Sequence, residues 1–206
     1  MSTESPRMVN VRGISYLVDE MALEDIQRDL TIIAEGLQCN SVMLMCRDTT
    51  QLIMAARSAL DIGLDVYLRP DATDRTQSWM LANLAELAEA AETLRRDHPD
   101  RVTLLVGSEF SHTVPGVVPG PKSFARLWLI IRYRRVLRRR IDRRLRKLLT
   151  RTIAVARPRF HGPITYSAAA WENPDWSAFD LGSPNRRASA ATTHATSRCK
   201  PATSPS

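Results

Sequence analysis

Residues 101–112 have the sequence RVTLLVGSEFSH, and they say more about the fold than any other part of the chain. The run 102–106 contains no charge, which is typical of a strand buried on both faces of a parallel sheet. A single carboxylate, Glu109, follows this run and precedes a loop rich in Pro and Gly. Because α/β barrels place their chemistry at the carboxyl ends of parallel strands, Glu109 is the first candidate for a functional residue.

Predicted strands and helices alternate along residues 9–182. This order is typical of right-handed βαβ units and a parallel sheet, and periodicity alone leaves a barrel and a doubly wound sheet both open. Gly13 stands alone after the first strand, so no Gly-rich phosphate loop is predicted. The apolar periodicity predicts strands at 9–18, 40–46, 64–68, 102–106 and 162–167, a sixth strand beginning near 179–181, and helices at 23–36, 50–62 and 76–97.

One basic segment dominates the charge of the chain. The net charge is +7, yet residues 122–159 hold fifteen Lys or Arg against Asp142 and alone contribute +14, so the rest sums to −7. Apolar residues within 124–156 keep helical spacing, which predicts an outer helix with its arginines in water. That helix would be about 50 Å long, so we expect a break or an overhang. The alternative interpretation is a footprint for nucleic acid or an anionic surface, formed by Arg134, Arg135, Arg138, Arg139, Arg140, Arg143 and Arg144.

The composition changes abruptly near the carboxyl end. Residues 183–206 contain no Leu, Ile, Val, Phe, Tyr, Trp, Asp or Glu. Such a segment cannot bury enough apolar surface to offset its ordering entropy, which predicts disorder. A native disordered tail and a slip of reading frame near Leu181 both explain this composition. Either way, we expect a flexible stretch at 1–8 and an incomplete fold over 9–182, whose open sheet edges favour self-association.

Several classes of protein are disfavoured by the sequence. No apolar segment near the amino end resembles a signal peptide, and no apolar run approaches the roughly 20 residues that span a bilayer, so a cytoplasmic location is expected. Cys39, Cys46 and Cys199 stand at unrelated spacings, which predicts neither a disulfide framework nor a zinc site. No cofactor or metal is predicted.

Six short segments at or near the predicted strand ends carry a resemblance to a known family, namely 11–16 (VRGISY), 39–42 (CNSV), 63–68 (GLDVYL), 106–109 (VGSE), 164–166 (ITY) and 171–172 (WE). Together they resemble actinobacterial proteins with a glycoside-hydrolase-like TIM barrel, some of which are named abortive infection protein. The resemblance covers residues 9–182 and implies an incomplete (β/α)8 TIM barrel of five to six parallel strands with outer helices.

The resemblance also implies a chemistry for Glu109. In the retaining barrel glycosidases, a Glu at the end of the fourth strand is the acid/base, and Glu109 occupies the matching position. These enzymes use two carboxyl groups about 5 to 5.5 Å apart. The preceding residue is Ser108, where those enzymes usually have Asn. Complete relatives are expected to hydrolyse O-glycosidic bonds, whereas this chain is expected to be inactive alone because the strand bearing the nucleophile is absent. The structural alternative is that Glu109 forms a salt bridge or caps a helix.

Five further residues are predicted to bind the substrate. Tyr16, Arg47 and Asp71 follow or end predicted strands, and Trp171 and Glu172 lie just beyond the fifth. Sugar sites use polar groups to fix hydroxyls and an aromatic face to stack on the ring. Structural packing or solvation is the alternative for each of them. The alternative function for the whole chain is a non-enzymatic binding protein that uses the basic helix on polyanions.

Overall fold

The computed structural model describes residues 11–181, in which five strands form one parallel sheet. The strand order follows the chain, and every neighbouring pair is parallel. The predicted mixed α/β fold with a parallel sheet is therefore confirmed, while the predictions for 1–8 and 183–206 lie outside the described residues. The strands are β1 (Gly13–Leu17), β2 (Ser41–Cys46), β3 (Asp65–Pro70), β4 (Val102–Ser108) and β5 (Ile164–Ser167).

The helices form a single layer on one side of the sheet. Helix α1 contacts α2, α2 contacts α3, and α3 contacts α5. Since the strand order never reverses and such crossovers are right-handed, the connecting helices fall on the same face. The helices are α1 (Leu23–Thr31, continued by the π-helical turn Ile32–Gly36), α2 (Thr49–Asp61), α3 (Gln77–Asp97), α4 (Phe110–Thr113) and α5 (Ser123–Ala156).

The main core lies between the sheet and this helical layer. Alternate strand residues such as Leu44, Leu68 and Leu104 are completely buried there. The opposite face of the sheet is less covered, because Ser15 and Asp65 in β1 and β3 are exposed. On that opposite face β4 and β5 are still buried, as the apolar run in 102–106 predicts. The sheet thus has one covered face and one that is open at β1–β3.

Helix α5 is continuous in sequence but bent. Its backbone leaves helical geometry at Tyr133, where φ is −127° and ψ is 22°. Beyond the bend, Ile141, Leu145 and Leu148 are buried against the rest of the protein. The expectation of a break or an overhang in a helix this long is therefore confirmed. Among the described residues no helix is both long and apolar enough to cross a membrane.

The residues after β5 do not form the predicted sixth strand within the described part of the chain. Asp175 instead caps a 3₁₀ turn at Trp176–Ala178, its carboxylate accepting a hydrogen bond from the amide of Ser177. The chain then returns to the sheet, where the amide of Asp180 donates to the carbonyl of Ile164 at 3.1 Å. Residues 179–181 therefore lie against β5, and Phe179 is extended, but they form no strand of the sheet.

Candidate functional site

Glu109 lies at the carboxyl end of β4 with its backbone held on both sides. Its φ of 47° and ψ of 43° are left-handed, a conformation that costs a non-glycine residue about 1 kcal/mol or more. The amide of Glu109 donates to the carbonyl of Ser167 in β5, and its carbonyl accepts from the amides of His112 and Thr113. Strained residues fixed in this way cluster at functional sites. The side chain of Glu109 is 39% exposed, so its backbone is fixed while its side chain is partly open to solvent.

His112 is the nearest titratable partner of Glu109. Its Nε2 lies 3.5 Å from a carboxylate oxygen of Glu109, the residue that immediately precedes α4. Its Nδ1 is buried and has no hydrogen-bond partner within residues 11–181. Burial lowers the pKa of His112, and the nearby Arg126 and Arg69 act in the same direction, while Glu109 opposes them. The imidazole is therefore favoured in its neutral form, in which one ring nitrogen accepts a hydrogen bond.

The guanidinium of Arg69 lies near Glu109, at the carboxyl ends of β3 and β4. This residue lies on β3, and its Nη1 approaches the sulfur of Met45 at 2.8 Å. Its Nε is buried without a hydrogen-bond partner in the described part of the chain. Burial lowers the pKa of this guanidinium, and the charges of Glu109 and Asp71 oppose the shift. A guanidinium with an unpaired buried donor costs free energy unless a ligand or water meets it, which makes Arg69 a candidate binding group.

The predicted rim residues Arg47 and Asp71 are brought together by the structure. Arg47 Nε lies 3.1 Å from an Asp71 carboxylate oxygen, and Asp71 also accepts hydrogen bonds from the amide and hydroxyl of Thr73. Burial raises the pKa of Asp71, but the hydrogen bonds from Thr73 and the Arg47 pair outweigh it, so the net shift is downward. These two side chains therefore bind each other at the rim and form its outer edge.

Trp171 and Glu172 reach the site in different ways. The indole Nε1 of Trp171 donates to Ser111 Oγ at 2.9 Å, and its ring lies edge-on to His112 with centroids 6.0 Å apart. Glu172 is buried and accepts from the amides of Ser111 and Ala169. Trp171 thus flanks the Glu109–His112 pair, whereas Glu172 is a structural group.

The buried pair Glu172–Tyr166 connects β5 to the segment that carries Glu109. The Tyr166 hydroxyl donates to Glu172 at 2.9 Å and accepts from the amide of Phe110 at 2.8 Å. Burial raises the pKa of Tyr166, and the charge of Glu172 adds to that shift. Burial also raises the pKa of Glu172, although its hydrogen bonds oppose the change. The predicted substrate contact by Glu172 is therefore replaced by a positioning role behind Glu109.

Tyr16 is not brought to this site. Its hydroxyl donates to an Asp29 carboxylate oxygen at 2.9 Å, so the ring lies on the helical side of β1 against α1. Burial and the hydrogen bond to Asp29 raise the pKa of Tyr16 above its usual range. The prediction placed Tyr16 at the rim because it stands near the end of a strand, but strand residues alternate between faces. Its position in β1 assigns it to the covered face.

Arg126 is a functional support that the sequence reasoning missed. It is completely buried, although it belongs to the basic segment assigned to solvent. Its guanidinium donates to the carbonyls of His112 (2.7 Å), Gly120 (3.0 Å) and Thr113 (3.0 Å) and pairs with Asp74. Arg126 therefore ties α5, the loop after α4 and the loop after β3 into one support beneath the site.

The space at the rim is narrow in this state of the chain. The crevice between the ends of β3 and β4 has a volume of about 10 Å³, which is room for one water molecule, and Arg69, Asp71 and Ser108 line it. A wider cavity of about 310 Å³ lies at the opposite end of β5, between Arg95 and Arg157. In the described part of the chain, the rim around Glu109 is therefore an open surface with one small crevice and holds no large enclosed pocket.

Neither a metal nor a known relative defines this site. Within residues 11–181, no group of three or more His, Cys, Asp or Glu side chains is placed to hold a metal ion. No protein-family model matches the chain, and no curated protein matches it. What the site can do follows from Glu109, His112, Arg69 and Trp171, which meet at the carboxyl end of the sheet.

Proposed function

We propose that residues 11–181 are consecutive βα units of a (β/α)8 barrel of glycoside-hydrolase type, with a carbohydrate site at the rim around Glu109. The observation that carries this proposal is the left-handed Glu109 at the carboxyl end of β4, with its backbone fixed and its side chain partly exposed beside His112. The sequential strand order and the single helical layer support a barrel rather than a doubly wound sheet, because a doubly wound sheet reverses its order.

The side chains around Glu109 suit sugar recognition. The half-buried Trp171 places an aromatic ring beside His112, and Arg69 has a buried donor without a partner among the described residues. In the complete barrel, Glu109 acts as the acid/base: it donates a proton to the glycosidic oxygen and later removes one from the attacking water. The neutral His112 beside it accepts a hydrogen bond from the substrate or from protonated Glu109.

Three carboxylates that follow β1, β2 and β3 are already engaged in hydrogen bonds within the described residues. Asp19 accepts from the amide of Arg47 at 2.8 Å, Asp48 accepts from the amide of Gln51 at 2.7 Å, and Asp71 is committed to Arg47 and Thr73. A nucleophile must approach to about 5 to 5.5 Å of the acid/base. Residues 11–181 are therefore expected to bind carbohydrate without hydrolysing it.

Calorimetric titration of the chain with a panel of neutral oligosaccharides tests this proposal. At least one oligosaccharide is expected to bind, and Trp171→Ala is expected to weaken that binding tenfold or more because the stacking face is lost. Trp176→Ala is the matched control, since Trp176 lies in the 3₁₀ turn beyond β5 and is expected to leave affinity unchanged. Failure of every oligosaccharide to bind, or equal effects of the two substitutions, would contradict the proposal.

Hydrolysis provides a second test for any substrate that shows turnover. If aryl glycosides are cleaved, Glu109→Gln is expected to abolish the reaction, because glutamine has the same shape but cannot transfer the proton. If the Glu109→Gln variant still cleaved the substrate, Glu109 would not be the acid/base.

A further inference from the structure

The first half of α5 exposes apolar side chains that the fold does not use. Phe124 is 74% exposed, Trp128 61%, Ile131 67% and Val136 81%. Exposed single apolar residues are common, but four large ones within thirteen residues of one helix form a patch. From Ile141 onward, by contrast, Ile141, Leu145, Leu148 and Leu149 of α5 pack into the core. We call the exposed residues of 124–139 the α5 patch.

The α5 patch is organised by helical spacing and by its aromatic rings. Phe124, Trp128 and Ile131 are separated by four and three residues, so they form one stripe along the helix. The Trp128 and Tyr133 rings pack edge to face with centroids 6.3 Å apart, and the guanidinium of Arg132 lies over the Tyr133 ring. The patch is thus an ordered surface as well as an exposed one.

Positive charge accompanies these apolar side chains along α5, and the helix has no acidic residue before Asp142. The chain contains no Asp or Glu between Glu109 and Asp142. The arginines that accompany the apolar residues are exposed as well, namely Arg132, Arg134, Arg135, Arg138 and Arg139. A helix that combines exposed apolar and aromatic residues with several arginines has the composition of helices that lie in the interface of a bilayer.

We propose that the α5 patch binds an anionic phospholipid surface, with the helix lying in the plane of the interface. The arginines pair with lipid phosphates, while Phe124, Trp128 and Ile131 enter the boundary between headgroups and acyl chains. Trp and Tyr favour this boundary. A nucleic acid would use the same arginines, but it has no place for the aliphatic side chains of Ile131 and Val136, which neither stack on bases nor contact phosphates. This binding is independent of the Glu109 site.

Flotation with phospholipid vesicles tests the proposal. The chain is expected to float with vesicles of 70% phosphatidylcholine and 30% phosphatidylglycerol, and to remain unbound with phosphatidylcholine alone. Each neutralised arginine, as in Arg135→Gln or Arg139→Gln, is expected to weaken binding about fivefold at low salt. The double variant Ile131→Ser/Val136→Ser keeps every charge and is expected to weaken binding about tenfold.

The control is the pair Met54→Ser/Arg57→Gln on α2, which removes one exposed apolar and one exposed basic side chain outside the α5 patch. It is expected to leave vesicle binding unchanged. Two results would overturn the proposal. One is that wild type and Ile131→Ser/Val136→Ser bind vesicles equally well and that both bind RNA tightly. This result would assign the arginines to nucleic acid. The other is a dimer in solution that the double variant dissociates, which would assign the patch to a second copy of the chain.

Discussion

Replacing Arg126 with Met is expected to destabilise the protein more than any other single change at an arginine of α5. Methionine keeps much of the buried aliphatic volume and removes the guanidinium. Three buried or half-buried carbonyls, those of His112, Thr113 and Gly120, then lose their donor, and Asp74 loses its cation.

The magnitude follows from these contacts. A buried acceptor left without a partner costs about 1 to 3 kcal/mol, and water can reach part of this loop, so the three costs do not add fully. Breaking a buried ion pair by removing one partner costs about 3 to 5 kcal/mol. We expect Arg126→Met to lower the free energy of unfolding by about 4 kcal/mol, within that range. With a urea m-value of about 2 kcal/mol/M, the midpoint falls by about 2 M.

Urea unfolding followed by circular dichroism measures this shift. Arg132→Met is the matched control, because Arg132 is exposed on the same helix and such changes alter stability by about 0.5 kcal/mol or less. In a double-mutant cycle with Asp74→Asn, whose amide tolerates the left-handed backbone at that position, the two effects should be non-additive by 0.5 kcal/mol or more. Equal midpoints for Arg126→Met and Arg132→Met would refute the role assigned to Arg126.

Three further predictions concern the surroundings of Glu109. Gly107→Ala should lower the free energy of unfolding by about 2 kcal/mol or more, because φ is 149° and the new Cβ would lie 2.1 Å from the Phe110 ring. Gly36→Ala is the control and should not destabilise the protein, because its new Cβ would lie 3.5 Å from the nearest atom. Thermal unfolding compares the two variants. Glu172→Gln should lower the free energy of unfolding in urea by about 2 kcal/mol. Both carboxylate oxygens of Glu172 accept hydrogen bonds, so the amide nitrogen of glutamine would face another donor. Because burial lowers the pKa of His112 in the folded state, its contribution to stability is present above about pH 6.5 and is lost as the pH falls. The free energy of unfolding of His112→Gln should therefore change less than that of wild type between about pH 7 and 5. Identical pH profiles of the two proteins would contradict this.

The sequence predicts the layout of this fold well because its signals are local. The uncharged run before Glu109, the helical spacing in 76–97 and the alternation of elements each depend on near neighbours along the chain. The observed bounds of α3, Gln77–Asp97, differ from the prediction by one residue. The bend in α5 followed from length alone, although nothing in the pattern located it at Tyr133.

The site was less predictable because its roles depend on which face of an element a residue occupies. Tyr16 and Glu172 stand near strand ends, yet one binds α1 and the other is enclosed by backbone amides. Arg126 could not be distinguished from the other arginines of its helix, since its carbonyl partners are invisible in a sequence. Arg69 had one available signal, which is a charge on a strand whose neighbours Leu68 and Pro70 are apolar.

Backbone NMR of the chain titrated with the oligosaccharide that binds best tests the central claim most directly. The account predicts that the largest amide shifts fall on Glu109, His112 and the Trp171 segment, with the indole signal of Trp171 moving and that of Trp176 unchanged. Shifts confined to the opposite end of the sheet, around Arg157 and His161, or to α5 would contradict the claim that the rim around Glu109 is a carbohydrate site.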